Sequence, residues 1–375
     1  MKYKPLYYLL AFLLITDISF PFEGKVTIIK WGVLILTSIC LLTLPKNKFS
    51  IDICSVFYFL FLTVSIFSTL IHSGINFKSI TYIFPYLLMF FIYLNFLTSN
   101  FDLYRLICIL GNVSVFSVLV SIPMIAFPSF YEDSRFHGIY GNPNSMSGFA
   151  ALSAAFVFSK LISVKQKTNK NYILYSLAFI MSCFIIIILS KSRASLGVFF
   201  GIFAFSVIFI DFGIKLRYKL ILSLITSFLS ISSYVYSSTL FLSSVDSKSR
   251  NLLDFSNRLS IFEAQLNSFL YSPMVGVGFV IDKSVEFSRR GGELSYSDIL
   301  SFSGGIGFLF FMLINVFSFL YLYKNRRVNN NIVIIFVCIL LLSIFEGYIS
   351  NVGSLISILY WAVVSFTFKG VHEKN

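Results

Sequence analysis

The chain has 375 residues, 57% of them hydrophobic and only 12% charged, with 46 phenylalanines and a mean hydropathy of +0.86. Its formal net charge is +13. This composition excludes a soluble globular domain and describes an all-α polytopic integral membrane protein, because each helical crossing needs roughly 20 mostly apolar residues. No nucleic-acid motif occurs, so the basic balance reports membrane orientation and attraction to anionic headgroups rather than a nucleic-acid partner.

Apolar runs predict about twelve transmembrane helices, at Pro5–Phe20, Val26–Leu44, Ile53–Ile71, Ser79–Leu97, Leu106–Phe127, Ser145–Val164, Tyr172–Leu189, Ala194–Ile210, Leu220–Leu240, Leu300–Tyr323, Ile332–Ile349 and Val352–Phe368. One transmembrane domain over residues 1–375 is the simplest organisation. The first run follows Lys2 and Lys4 as a signal peptide would, but no small-residue cleavage site closes it, so it reads as a retained anchor. With the N terminus inside, one side of the membrane collects 17 basic and 4 acidic residues, and therefore the whole +13. The positive-inside rule assigns that side, and both termini, to the cytoplasm.

Cys40, Cys54, Cys108, Cys183 and Cys338 all fall inside predicted spans without metal-ligand spacing and read as small packing residues. His72, His137 and His372 are scattered, so neither a metal nor a cofactor is expected. No Walker sequence occurs, which excludes an ATP-driven transporter. Any group transfer must use a substrate activated elsewhere, and a lipid-linked donor fits.

The chemistry gathers on the outer side, where positive charge is normally avoided. The connection before the sixth span holds Arg135, His137, Gly138, Gly141 and Asn142-Pro143-Asn144. Pro143 stops the preceding structure, and Asn144 reads first as an N-cap. Ser190-Lys191-Ser192-Arg193 opens the eighth span, where Arg193 is either an interfacial snorkelling arginine or a functional one. The connection 241–299 is close to sixty residues, long enough to carry structure or function of its own. In it, Leu259, Phe262, Leu266 and Phe269 recur at helical spacing and predict an amphipathic helix with Arg258 at the edge of its apolar face. That face rests either on the outer bilayer surface or against the bundle. Pro273, Gly276 and Gly278 end the helix, and Gly276-Val277-Gly278 reads as a flexible turn, since phosphate-loop spacing is absent. Glu346 sits near the outer end of a span, as an interfacial charge or a partner for an outer arginine.

Taken in order, Arg135 through Asn144, Ser190 through Ser195, Arg258 through Gly278, and Ser297-Asp298 with Gly304-Gly305-Ile306-Gly307 resemble the O-antigen polymerase and O-antigen ligase family of bacterial polysaccharide assembly. The resemblance spans roughly Arg135 to Phe310. It implies a GT-C-like, metal-independent glycosyltransferase in the bacterial inner membrane, acting at its outer face on undecaprenyl-diphosphate-linked oligosaccharide, with a chain-length regulator as a further partner. Arg193 and Arg258 are then the residues that stabilise the departing diphosphate, because a guanidinium binds phosphate oxygens bidentately. Arg135, Asn142, Asn144, Arg289, Arg290 and Glu293 are implied in substrate binding.

Ligase-like members carry a histidine near the end of the long loop, where this chain reads Glu293-Leu294-Ser295-Tyr296-Ser297-Asp298. The departure favours a polymerase, with Asp298 and then Glu293 as the group that takes the proton. Asp298 also reads as a helix-start charge that favours the macrodipole. A ligase is the alternative within the class. A lipid-linked oligosaccharide flippase is the alternative outside it, but a transporter keeps polar groups near the bilayer midplane, where these spans have almost none.

Overall fold

The computed structural model describes residues 7–8, 11–12, 27–42, 52–98, 102–163, 170–209, 256–280 and 294–372. The chain there is mostly helical: α1 (Thr27–Leu42), α2 (Ile53–Ser73), α3 (Phe77–Thr98), α4 (Leu103–Ser121), α5 (Pro143–Ser163), α6 (Lys170–Leu189), α7 (Arg193–Phe209), α8 (Ser256–Tyr271), α9 (Ser295–Lys324), α10 (Arg326–Phe345) and α11 (Leu355–His372). Six of these helical stretches are long and apolar enough to cross a membrane, and α1, α7, α10 and α11 contain shorter apolar helices. Most of the first expected span, and all of the ninth, lie outside the described residues.

The helices begin where local chemistry lets them. Asp52 accepts from Ser55 N at 2.5 Å at the start of α2, and Asp102 accepts from Arg105 N at 3.0 Å at the start of α4. The centre of the bundle is α5, whose buried face is built from small residues including Ser147, Ala150, Ala151, Ser153, Ala154 and Ala155. Small side chains let neighbours approach closely where lipid supplies no hydrophobic drive between helices. Helices α4, α6, α7 and α10 pack around α5. A second group forms where α2 packs along α9, with α3 and α11 beside them. At its centre Tyr58 stacks on Trp361, with ring centroids 4.0 Å apart.

The tenth expected span is not one continuous helix. Gly304 interrupts α9 with φ 62° and ψ −172°. An intact helix would bond Gly305 N to Ser301 O and Ile306 N to Phe302 O. Instead, Gly305 N donates to Pro273 O at 2.8 Å and Ile306 N to Met274 O at 3.1 Å. The two released carbonyls are taken by the same segment, Ser301 O by Val277 N at 2.9 Å and Phe302 O by Gly278 N at 3.0 Å. The segment after α8 therefore replaces each broken helical bond with one donor and one acceptor, which satisfies backbone groups that water does not reach in an apolar setting.

Glycine is required on both sides of this insert. A Cβ on Gly276 would stand 2.5 Å from Gly304 N, one on Gly304 would overlap Gly276 N, and one on Gly278 would stand 2.5 Å from Thr69 Cα. All three have positive φ. The segment is further held by Ser68 Oγ donating to Gly276 O at 2.6 Å and by Phe279 N donating to Thr69 Oγ1 at 2.9 Å. The expected flexible turn at Gly276-Val277-Gly278 is thus a fixed backbone contact between α2 and α9.

Gly304→Ala is expected to lower thermal stability by at least about 1–3 kcal/mol from backbone strain alone. Gly197→Ala is the control, since a Cβ there meets nothing within 4 Å. Equal melting shifts for the two purified variants would contradict the insert.

Candidate functional site

The outer motifs converge at one end of the bundle, and they do so through hydrogen bonds that can be followed from residue to residue. Between α4 and α5 the chain forms a short hairpin in which Glu132 pairs with Arg135 and Tyr131 with Phe136. Asp133 and Ser134 make its two-residue turn with φ of 46° and 62°. Two successive positive φ values are what a type I′ hairpin requires. Ser190 Oγ donates to Phe136 O at 2.7 Å and fixes the hairpin against the α6–α7 corner.

Arg135 projects from that hairpin into the corner. Its Nε donates to Ser190 O at 3.1 Å and its Nη2 to Asn144 Oδ1 at 2.6 Å. Arg193 opens α7, and its Nη1 is buried. Ser192 caps that helix, with Ser195 N donating to Ser192 Oγ at 3.4 Å, and Ser195 Oγ reaches Ser147 Oγ on α5 at 2.9 Å. The starts of α5 and α7 are thereby tied together beside Arg135.

Asn144 does not do the structural job expected of it. Asn142 is the cap: its Oδ1 accepts from Asn144 N at 2.8 Å, and its carbonyl accepts from Met146 N at 3.1 Å. Pro143 occupies the first helical position, where its missing N–H costs nothing. The Asn144 side chain is left to hold Arg135.

Lys191 is a site residue that the sequence reading passed over. Its Nζ donates to Ser134 Oγ at 2.7 Å, and its backbone has φ 50°. Burial, and secondarily the charge of Arg135, push its ammonium below the usual lysine range. Among the described residues, Asp133, Ser134 and Lys191 are the non-glycine positions with positive φ, and the Lys191–Ser134 bond joins the two places where they occur. Strained backbone concentrated at one corner is a recurrent feature of binding and catalytic sites. The detectable signal was the Ser-Lys-Ser-Arg run itself, four polar residues between two apolar helices.

The α10–α11 connection links this basic corner to the start of α9. Tyr348 OH donates to Asn144 O at 3.3 Å. Two residues earlier, Glu346 O accepts from Ser295 Oγ at 2.9 Å, and Ile349 N donates to the same Ser295 Oγ at 3.1 Å. Asp298 lies one helical turn on from Ser295, on the same face of α9, and is fully buried. Its neighbour Ser297 donates to Gln265 Oε1 on α8 at 2.5 Å. Gln265 and Tyr348 were not anticipated, since a lone glutamine on an amphipathic helix and a tyrosine at the end of an expected span carry no distinguishing pattern.

The structure therefore joins Arg135, Asn142, Asn144, Arg193 and the Ser295–Asp298 turn at one end, with Glu346 contributing its carbonyl. Arg258 lies in the first turn of α8, two turns before Gln265 and close to the same face by register, but its side chain lies outside the described residues. Arg289, Arg290 and Glu293 also lie outside them. Chemically the corner offers oriented cations and amide groups to an anion, with a carboxylate on the adjoining element. No family model matches the chain, and no curated protein matches it.

Asn142→Ala is expected to cost about 1 kcal/mol of stability through loss of the cap, and Asn142→Asp, which keeps the acceptor, to cost little. Thermal unfolding of the two variants measures the difference. A neutral Asn142→Ala would mean that Asn142 is not the cap.

Proposed function

We propose that the chain is a metal-independent glycosyltransferase, a polysaccharide polymerase that moves a growing undecaprenyl-diphosphate-linked glycan onto a new lipid-linked repeat unit at the outer face of the bacterial inner membrane. The reading includes a GT-C-like bundle of twelve spans, and the location rests on the charge asymmetry and the apolar helices. The observation that carries it is the hydrogen-bonded path from Arg135 through Asn144 and Tyr348 to the α9 start that bears Asp298, with Arg193 tied in through Ser195 and Ser147.

In the reaction, a hydroxyl of the acceptor sugar attacks the anomeric carbon of the donor chain. A new glycosidic bond forms, the bond from that carbon to the diphosphate breaks, and the diphosphate leaves with the electron pair. Arg193 and Arg258 neutralise the charge that grows on it, and Arg135 with Asn144 orients the donor phosphates. Guanidinium suits this role because its fork holds two oxygens in fixed geometry and stays protonated beside lipid. The proton of the attacking hydroxyl goes to Asp298. Asp298 is fully buried and its neighbour Ser297 is bonded to Gln265, so its access to the acceptor depends on movement at the α8–α9 contact.

A purified, reconstituted enzyme supplied with lipid-linked repeat units tests the assignment. Arg193→Ala and Arg258→Ala are expected to abolish polymer at unchanged protein levels, and the corresponding lysine variants to restore it only in part. Asp298→Asn is expected to slow polymerisation by about 10²–10⁴-fold, the range for loss of a general base. Wild-type chain lengths from both alanine variants would reduce these arginines to surface charge, and a fully active Asp298→Asn would place the base elsewhere.

A further inference from the structure

Helix α8 has three distinct longitudinal sectors, and among the described residues one of them is turned into the protein. At 100° per residue, Ile261, Ala264, Gln265 and Ser268 share one side, and this side is turned into the molecule, with Gln265 and Ser268 fully buried. Ser260, Glu263 and Asn267 form a second, exposed polar side. Leu259, Phe262, Leu266 and Leu270 form a third, and they are 54%, 42%, 37% and 62% exposed. The arrangement differs from that of a helix packed on a soluble core, since the two fully buried residues are polar, beside the half-buried Ile261, and four large apolar residues face away. Of the two expected placements of the apolar face, the exposure of these described residues favours the bilayer surface.

Outside this sector Tyr271 and Met274 are exposed as well, and the Tyr271 ring lies 6.0 Å from that of His72 in the last turn of α2. There Ile71, Ile75 and Phe77 are all exposed around the α2–α3 turn, Ile75 and Phe77 by more than four-fifths. The C-terminal end of α8 thus adjoins the exposed end of an apolar 21-residue helix of membrane-crossing character.

We infer that α8 is an interfacial helix, lying along the outer leaflet with Leu259, Phe262, Leu266 and Leu270 in the acyl-chain boundary, its Gln265–Ser268 side on α9, and its Ser260–Asn267 side in water. Three sectors of different polarity match three media, protein, hydrocarbon and water, which a helix exposed only to solvent has no reason to present. The backbone insert at Gly304 anchors the C-terminal end of α8, and so fixes the height at which it meets the lipid. A consequence is that the Gln265–Ser297 contact and the first turn of α8 are held at headgroup depth, the level at which a lipid-linked diphosphate lies. The consequence rests on the proposed function, whereas the placement of α8 does not.

Spin labels introduced singly at 260, 262, 263, 266, 267 and 270 of the full chain, reconstituted in phosphatidylglycerol-containing vesicles, test the placement by power saturation with oxygen and with a water-soluble nickel chelate. Labels at 262, 266 and 270 are expected to be relaxed by oxygen and shielded from nickel, and labels at 260, 263 and 267 to show the reverse. Nickel access at all six positions would place the apolar sector in water and overturn the inference. Shielding of 262, 266 and 270 from both agents, with spin–spin broadening that fades on dilution into excess lipid, would make the occupant a second copy of the chain and overturn it equally. Because the readout needs no substrate, it is independent of whether the enzyme polymerises anything.

Discussion

The arrangement of this molecule around the start of α9 depends on a backbone exchange. Two hydrogen bonds that α9 gives up at Gly304 are remade by Pro273, Met274, Val277 and Gly278. In an apolar surrounding, an unpaired amide or carbonyl costs several kcal/mol, so a helix breaks there only if another segment supplies partners in the right order. The exchange is mutual, because the same four bonds satisfy groups of the inserted segment as well. It explains why glycines stand at 276, 278 and 304 together, since a side chain at any of them would push the two backbones apart. The insert also sets the position of everything that precedes and follows it: α8 is held at one end by it, and the Ser295–Asp298 turn stands on the short arm of α9 above it.

Beside this rigid element stands a corner made mainly by side-chain bonds. The hairpin, the α6–α7 turn and the start of α5 are loops and helix termini, which have orphan polar groups to satisfy. Asn142 satisfies one helix start and Ser192 another, and their use as caps leaves Asn144 and Arg193 for other work. Arg135 links the hairpin to Asn144 and to the Ser190 carbonyl, while Lys191 reaches back to the hairpin turn. Burial does most to depress the Lys191 ammonium, and repulsion from the like charge of Arg135 adds to it. An anion arriving at the corner would relieve that repulsion, which is the physical reason for assigning a diphosphate to this place rather than to the aromatic interior.

Membrane character was legible in the sequence because it is a property of composition and of run length, which require no knowledge of tertiary contacts. The starts of α5 and α7, and the existence of α8, were legible for a similar reason, since proline, serine–arginine and a helical apolar period are local signals. The break in α9 was not. Gly304-Gly305 inside an apolar run and Gly276-Val277-Gly278 after a helix each look ordinary, and their meaning appears only when the two are in contact. The cap falls on Asn142, two residues before the expected Asn144, because both asparagines flank Pro143 and only the backbone shows which one precedes the helix. Of the expected stripe on α8, Leu259, Phe262 and Leu266 are exposed but Phe269 is half-buried, because its direction depends on which neighbours α9 offers it. Lys191 was hidden by its more informative neighbour Arg193.

The account stands on the placement of the basic corner and of α8 on the same, outward side of the membrane, opposite the excess of positive charge. In cells with an intact inner membrane, single cysteines at 134 and 263 are predicted to react with a membrane-impermeant thiol reagent, and a cysteine at 167 to react only after the membrane is opened. Labelling at 167 with protection at 134 and 263 would turn the molecule over and contradict the account.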